Sequence, residues 1–235
     1  MDGHHDHAHE EKHFRSSDLI TDIVIGMSDG LTVPFALAAG LSGTVDSTAI
    51  VVTAGIAEIA AGSIAMGLGG YLAGRTEIDH YNSELKREWE EVDIVPEKEK
   101  QEVRDVFAEM GLSKHSQDMI ADELAKDKQK WVDFMMKYEL GLDKPDPKRA
   151  RNSAFNIGVS YIVGGLVPLS PYFFVEHPID GLKWSAAITV VCLLIFGWFK
   201  AKFTGQKPLQ GALKVAAIGS VAAAAAFFIA RLFGG

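Results

Sequence analysis

Five apolar stretches, near residues 19–41, 49–74, 153–174, 182–199 and 208–233, limit what this chain can fold into more than any other feature. Each is about 20 residues long, and a helix of that length rises about 30 Å, the thickness of a bilayer's hydrocarbon core. Hydrocarbon offers no partner to a backbone N–H or C=O, so such stretches cross as helices. The expectation is an all-α polytopic membrane protein with five transmembrane helices. The first residues lack the basic segment of a cleavable leader, so the first apolar stretch is expected to be retained.

Between the second and third stretches lies a polar block, residues 76–147. It carries 20 Asp and Glu against 11 Lys and Arg, and it accounts for the whole chain's formal charge of −8. An acidic block repels nucleic acid and attracts cations. The four parts expected are a disordered tail at 1–17, transmembrane helices one and two at 18–75, a cytosolic metal-binding helical domain at 76–147, and transmembrane helices three to five at 148–235. The tail holds His4, His5, His7, His9 and His13 among acids, a composition suited to loose metal scavenging. Cys192 is the one cysteine, which excludes an intrachain disulfide.

The two leading membrane helices carry residues that lipid does not tolerate easily. Helix one is expected to begin at Ser17 or Asp18, either of which can cap it. Asp18, Asp22 and Asp29 then share one face. Asp29 lies ten residues beyond Leu19, about 15 Å along the axis and near mid-bilayer. A carboxylate there costs at least about 2.5 kcal/mol and should face protein or water. Pro34, five residues on, removes a backbone bond and opens a carbonyl nearby. Helix two returns with Glu58 and Met66. Met66 lies nine residues before Arg75, about 13 Å from that end, and so at nearly the depth of Asp29. Glu58 falls about 12 Å farther along. Gly62, Gly69, Gly70 and Gly74 permit close helix approach.

The acidic block reads as three helices. The first continues helix two to about Val95 and stops before Pro96. The second runs near Glu97–Met110 and ends at Gly111; the third is capped by Ser113 and reaches Leu140 before Gly141. Glu88 with Glu91, and Glu99 with Glu102, are i,i+3 pairs on adjacent antiparallel helices. Each pair projects two carboxylates from one turn, an arrangement suited to a divalent cation. The third helix offers Met135, Met136 and Glu139, with Met135 and Glu139 on one face.

Basic residues mark one side of the membrane. KPDPKRAR at 144–151 precedes helix three, and Lys200, Lys202 and Lys207 flank the turn between helices four and five. By the positive-inside rule these flanks, the acidic block and the N-terminus are cytosolic, and the C-terminus lies across the membrane. Five crossings cannot form two equal inverted halves in one chain. A path between two copies about a two-fold axis is the alternative, and it doubles each single ligand.

DGLTVPFALAAGL in helix one, AGIAEIAAGSIAMGLGGYLAGRTEID in helix two, the glutamate-rich insert and SYIVGGLVPLSPY in helix three resemble the vacuolar iron transporters, in the plant-like form that carries a metal-binding insert. The resemblance implies a homodimer with five crossings per protomer in the vacuolar membrane. It implies Fe²⁺ moved from cytosol to vacuole in exchange for protons. It places transport residues at Asp29, Met66 and Glu58, and cytosolic metal ligands at Glu88, Glu91, Glu99, Glu102, Glu139, Met135 and Met136. Carboxylate with thioether is a mixed hard and soft donor set that suits Fe²⁺, Mn²⁺ or Co²⁺ better than Mg²⁺ or Ca²⁺; Zn²⁺ is a further candidate for the insert.

Two other readings start from the same residues. A di-iron carboxylate oxidase also clusters glutamates on helices, but commonly through Glu-x-x-His motifs, which the pairs here do not match. A membrane-tethered metal buffer or sensor would need the acidic block but not Asp29 and Met66 at mid-bilayer. Without a GxxxxGK[ST] loop to bind nucleotide, a transporter of this sequence draws on a gradient.

Overall fold

The protein was analysed as a computed structural model that describes residues 13–234, with side chains from Asp18 to Phe233. All regular structure among the described residues is helical. The elements are α1 His13–Ser42, α2 Thr48–Ile94, α3 Pro96–Glu109, α4 Lys114–Leu124, α5 Lys128–Phe134, a π-helix Met135–Glu139, α6 Arg149–Leu169, a 3₁₀ turn Ser170–Phe173, α7 Pro178–Phe203 and α8 Pro208–Gly234. Five are long and apolar enough to cross a membrane: 18–42, the start of α2, 149–173, 178–203 and 208–233. The His-rich tail lies outside the described residues except where α1 begins at His13. That start precedes the expected cap at Ser17 or Asp18, because no Gly or Pro between His13 and Ser17 halts the helix. The 47 residues of α2 run about 70 Å, more than twice a hydrocarbon core.

The chain divides into two compact units, 72–150 and the remainder. In the larger unit α1 packs on α6, α7 and α8. Leu31, Leu193 and Ala216 form one buried cluster, and Phe35, Ala39 and Ala223 another. The contact of α1 with α6 is closer than side chains allow. A Cβ on Gly26 would stand 2.3 Å from the Ile157 carbonyl oxygen, and one on Gly30 would stand 2.4 Å from that of Tyr161. Asp22, buried, extends this stripe and accepts hydrogen bonds from Ser153 (2.9 Å) and Asn156 (3.3 Å). Two carbonyls at the end of α6 find side-chain donors. Pro171 cannot donate to the Val167 carbonyl, and the Ser170 hydroxyl does so instead at 2.8 Å. Ser185 donates to the Pro168 carbonyl at 2.7 Å.

The smaller unit has its own core of Val92, Val103, Ala121, Trp131, Val132, Met135 and Met136. Gly111 and Gly141 adopt φ of +83° and +65°, the left-handed conformation that ends a helix. Ser113 caps α4 by accepting from the Ser116 N–H. The third expected helix of this block, Ser113 to Leu140, is not continuous. It breaks at residues 125–127, where the Asp127 side chain accepts from the Lys130 N–H and starts α5 anew. It then winds as a π-helix, with the Leu140 N–H bonded to the Met135 carbonyl at 3.0 Å.

Candidate metal-binding residues

In the smaller unit the two Glu-x-x-Glu pairs converge across α2 and α3. One carboxylate oxygen from each of Glu88, Glu91 and Glu99 lies within 4.8 Å of the others. Glu88 and Glu99 are only 1% and 0% exposed, and Glu88 Oε2 and both Glu99 oxygens have no hydrogen-bond partner. A buried ion costs several kcal/mol when left without partners, so this arrangement is one that a cation stabilises. Two basic side chains partly supply the charge. Arg87 reaches Glu84 at 2.7 Å, Glu88 at 3.5 Å and Glu91 at 3.6 Å. Lys98 holds Glu102 at 2.9 Å and stands 3.7 Å from Glu99.

The carboxyls respond as crowding and burial require. Burial, then the charges of Glu102, Glu88 and Glu91, pushes Glu99 up to about 7, against Lys98. Burial and Glu91 raise Glu88 also, against Arg87. Glu139, on the π-helix and more open to solvent, is held up to about 7 by desolvation and by the charges of Glu102 and Glu88. The structure thus brings Glu88, Glu91 and Glu99 together, with Glu102 and Glu139 as neighbouring charges. Met135 and Met136 are placed differently: both lie in the unit's apolar core. Their thioethers are soft donors four and three residues before Glu139, on a π-helix, a form often found at functional sites.

In the larger unit α6 sets the register of α1 against α2. Ile157 packs against both Gly26 and Gly70, and Tyr161 against both Gly30 and Gly62. These two antiparallel pairings set Asp29 opposite residues 63–67 of α2, the stretch that holds Met66, which leaves the two within about 5 Å of each other along the axes. Glu58 comes out about 10 Å farther along. Asp29 and Met66 are both half-buried. Pro34, inside α1, leaves the Gly30 carbonyl next to Asp29 without its helical donor. Tyr161 donates a 2.5 Å hydrogen bond to Glu58 Oε1, while Glu58 Oε2 is buried with no partner. Gly62 makes that bond possible, since a Cβ there would stand 2.4 Å from the Tyr161 hydroxyl.

Sequence reading missed three neighbours of these residues. Arg87 was readable, three residues after Glu84 and four before Glu91. Lys98 was readable too, four residues before Glu102. Tyr161 gave no local signal, because its partner Glu58 is 103 residues away.

The VIT family matches residues 20–231. The chain is 54% identical over 224 residues to vacuolar iron transporter 1 of Arabidopsis thaliana, covering 95% of this chain and 90% of that one. It is 54% identical to vacuolar iron transporter 1 of Eucalyptus grandis, with coverage of 95% and 90%. Protein CCC1 of Saccharomyces cerevisiae is 40% identical over 232 residues, covering 94% of this chain and 71% of its own length.

Proposed function

The chain belongs to the VIT family, and from that premise we propose that it carries Fe²⁺ from the cytosol into the vacuole, across the vacuolar membrane, in exchange for protons. Its relatives are transporters by name and not enzymes. Iron and the vacuole come from the printed names of those relatives. The observation that carries the metal reading is the pair of buried, unpartnered carboxylates, Glu88 and Glu99, meeting Glu91.

The acidic unit captures the ion on the cytosolic side. Glu88, Glu91, Glu99, Glu102 and Glu139 supply hard oxygen donors, and Met135 or Met136 supplies a soft sulfur donor after a rotamer change. Mn²⁺, Co²⁺ and Zn²⁺ fit the same mixed set. Asp29 and Met66 receive the ion within the membrane. Two copies of the chain face each other about a two-fold axis, so that each Asp29–Met66 level contributes twice. Glu58 lies beyond that level toward the lumen. Its orphaned oxygen takes a proton from the acidic lumen, and Tyr161 holds the other oxygen in place. Because a carboxylate must be deprotonated to bind metal, ion entry expels protons and protonation expels the ion.

The decisive experiment is Fe²⁺ flux into proteoliposomes with an imposed pH gradient. Uptake that accelerates with an acidic interior and alkalinises that interior is expected. Saturable metal binding with no flux in either direction would make the protein a tethered buffer.

A further inference from the structure

We propose that the cytosolic-side ends of α7 and α8 form a binding site for a phosphate-bearing anionic phospholipid. Between these helix ends lies a hollow of about 410 Å³ whose rim carries Lys200, Lys207 and Lys214, with Thr204, Gln206 and Gln210. Its apolar floor comes from buried Ala201 and half-buried Val215, with Ile218 exposed beside them.

The charge pattern calls for an anion. From Gly181 to the end of the chain there is no Asp or Glu, in a protein whose formal charge is −8. None of the three rim lysines has an ion pair or a side-chain hydrogen bond among the described residues. Several lysines of the acidic unit do have such partners, Lys98, Lys100, Lys126, Lys128 and Lys130 each meeting a carboxylate, whereas Lys114, Lys137, Lys144 and Lys148 meet none among the described residues. Three like charges around one hollow repel each other until a counter-charge enters.

The hollow's two-part chemistry selects a lipid over a free anion. Its polar rim suits a phosphorylated headgroup, and its apolar floor continues along α7 and α8, two helices long and apolar enough to cross a membrane. Close helix packing fixes that floor, since a Cβ on Gly197 would stand 2.8 Å from the Gly211 carbonyl oxygen. Neighbouring Trp198 is 39% exposed and receives the Lys202 ammonium 5.1 Å from its ring. An aromatic ring with a lysine over it is the usual furniture of a membrane–water interface. Basic pockets between membrane helices take phosphorylated headgroups by the same electrostatics. This inference rests on α7 and α8 spanning the membrane, and not on the metal path.

The test titrates short-chain phosphatidylinositol phosphate into the full-length protein in detergent and reads the bound fraction by native mass spectrometry. Saturable binding is expected. The K200Q/K207Q/K214Q variant should bind about a hundredfold more weakly, each lysine contributing a factor of about five at a charged membrane surface. K200R/K207R/K214R should bind like the wild type. If the triple glutamine variant fails to fold, each single Lys→Gln change should still weaken binding about fivefold. Inositol phosphate without acyl chains should bind at least about tenfold more weakly than the lipid, since the floor then goes unused. Unchanged affinity in the glutamine variants would overturn the site. Equal retention of phosphatidylcholine, or equally tight binding of the bare headgroup, would overturn the anionic-lipid assignment.

Discussion

Glu99 sits in the interior of the acidic unit with no hydrogen bond to either oxygen, and its titration reports on what the site wants. Its carboxyl is raised from 4.5 to about 7. A raised carboxyl means that the folded unit keeps a proton that the unfolded chain has lost. The metal-free protein is therefore favoured at low pH and loses that stability as pH rises from 4.5 through about 7. A divalent ion reverses the trend, because it replaces the proton. Metal affinity measured calorimetrically should rise as pH passes upward through about 7, and Glu99→Gln should flatten both dependences. A metal-free melting temperature that climbs over this range would contradict the assignment. Asp29 gives the second residue-scale expectation. Asp29→Ala should abolish Fe²⁺ flux in proteoliposomes while size-exclusion chromatography shows an unaltered particle, because a half-buried side chain is removed without filling space. Met66→Ala should reduce flux and loosen selection against harder ions such as Mg²⁺; a wild-type rate and selectivity would return Met66 to packing.

At the scale of elements, α6 acts as the brace that sets α1 against α2, and glycines are what let it approach. Gly26 and Gly30 meet backbone oxygens of α6, which cannot move aside without moving the helix. Overpacking of this kind costs about 1–3 kcal/mol. Gly26→Ala and Gly30→Ala should each lower the melting temperature of the detergent-solubilised protein clearly. Gly40→Ala, whose Cβ would find the Ala226 oxygen at 3.3 Å, should cost much less. Equal effects at all three positions would mean that the α1–α6 contact is not the tight one. In the acidic unit the four-glutamate change Glu88→Gln, Glu91→Gln, Glu99→Gln and Glu102→Gln should reduce the number of divalent ions bound in a calorimetric titration, since amides keep the shape and remove the charge.

Across the whole molecule two expectations follow from the proposed path. Gly69 lies three residues from Met66, and a Cβ there would meet nothing within 4 Å. A large side chain at that position leaves a single chain undisturbed but blocks a second copy on the same face. Gly69→Trp should thus convert a dimer to monomers by light scattering, without lowering helix content; an unchanged dimer would place the two-fold contact elsewhere. Coupling is the other expectation. Glu58→Gln removes the proposed proton acceptor while leaving an acceptor for Tyr161, so Fe²⁺ uptake should lose its dependence on an acidic interior. Retained pH dependence in that variant would assign the proton to another group.

The sequence by itself determined the features that local pattern controls. Five apolar stretches became five candidate spans because hydrocarbon admits only self-satisfied helices. Gly111, Ser113 and Gly141 end and begin helices where expected, because capping depends on a few adjacent residues. The glutamate pairs were legible as spacing on α2 and α3. Tertiary structure decided what depends on contacts between distant residues or on competition between neighbours. The sequence could not choose between one helix and three pieces at 113–140, since an Asp127 cap competes there with helix propensity. It could not say that Met135 and Met136 lie in an apolar core, or that Tyr161 meets Glu58. Nor could it show that three lysines from two helices rim one hollow. The Tyr161–Glu58 contact rests on helix register, which close packing on Gly62 permits and which no local pattern encodes.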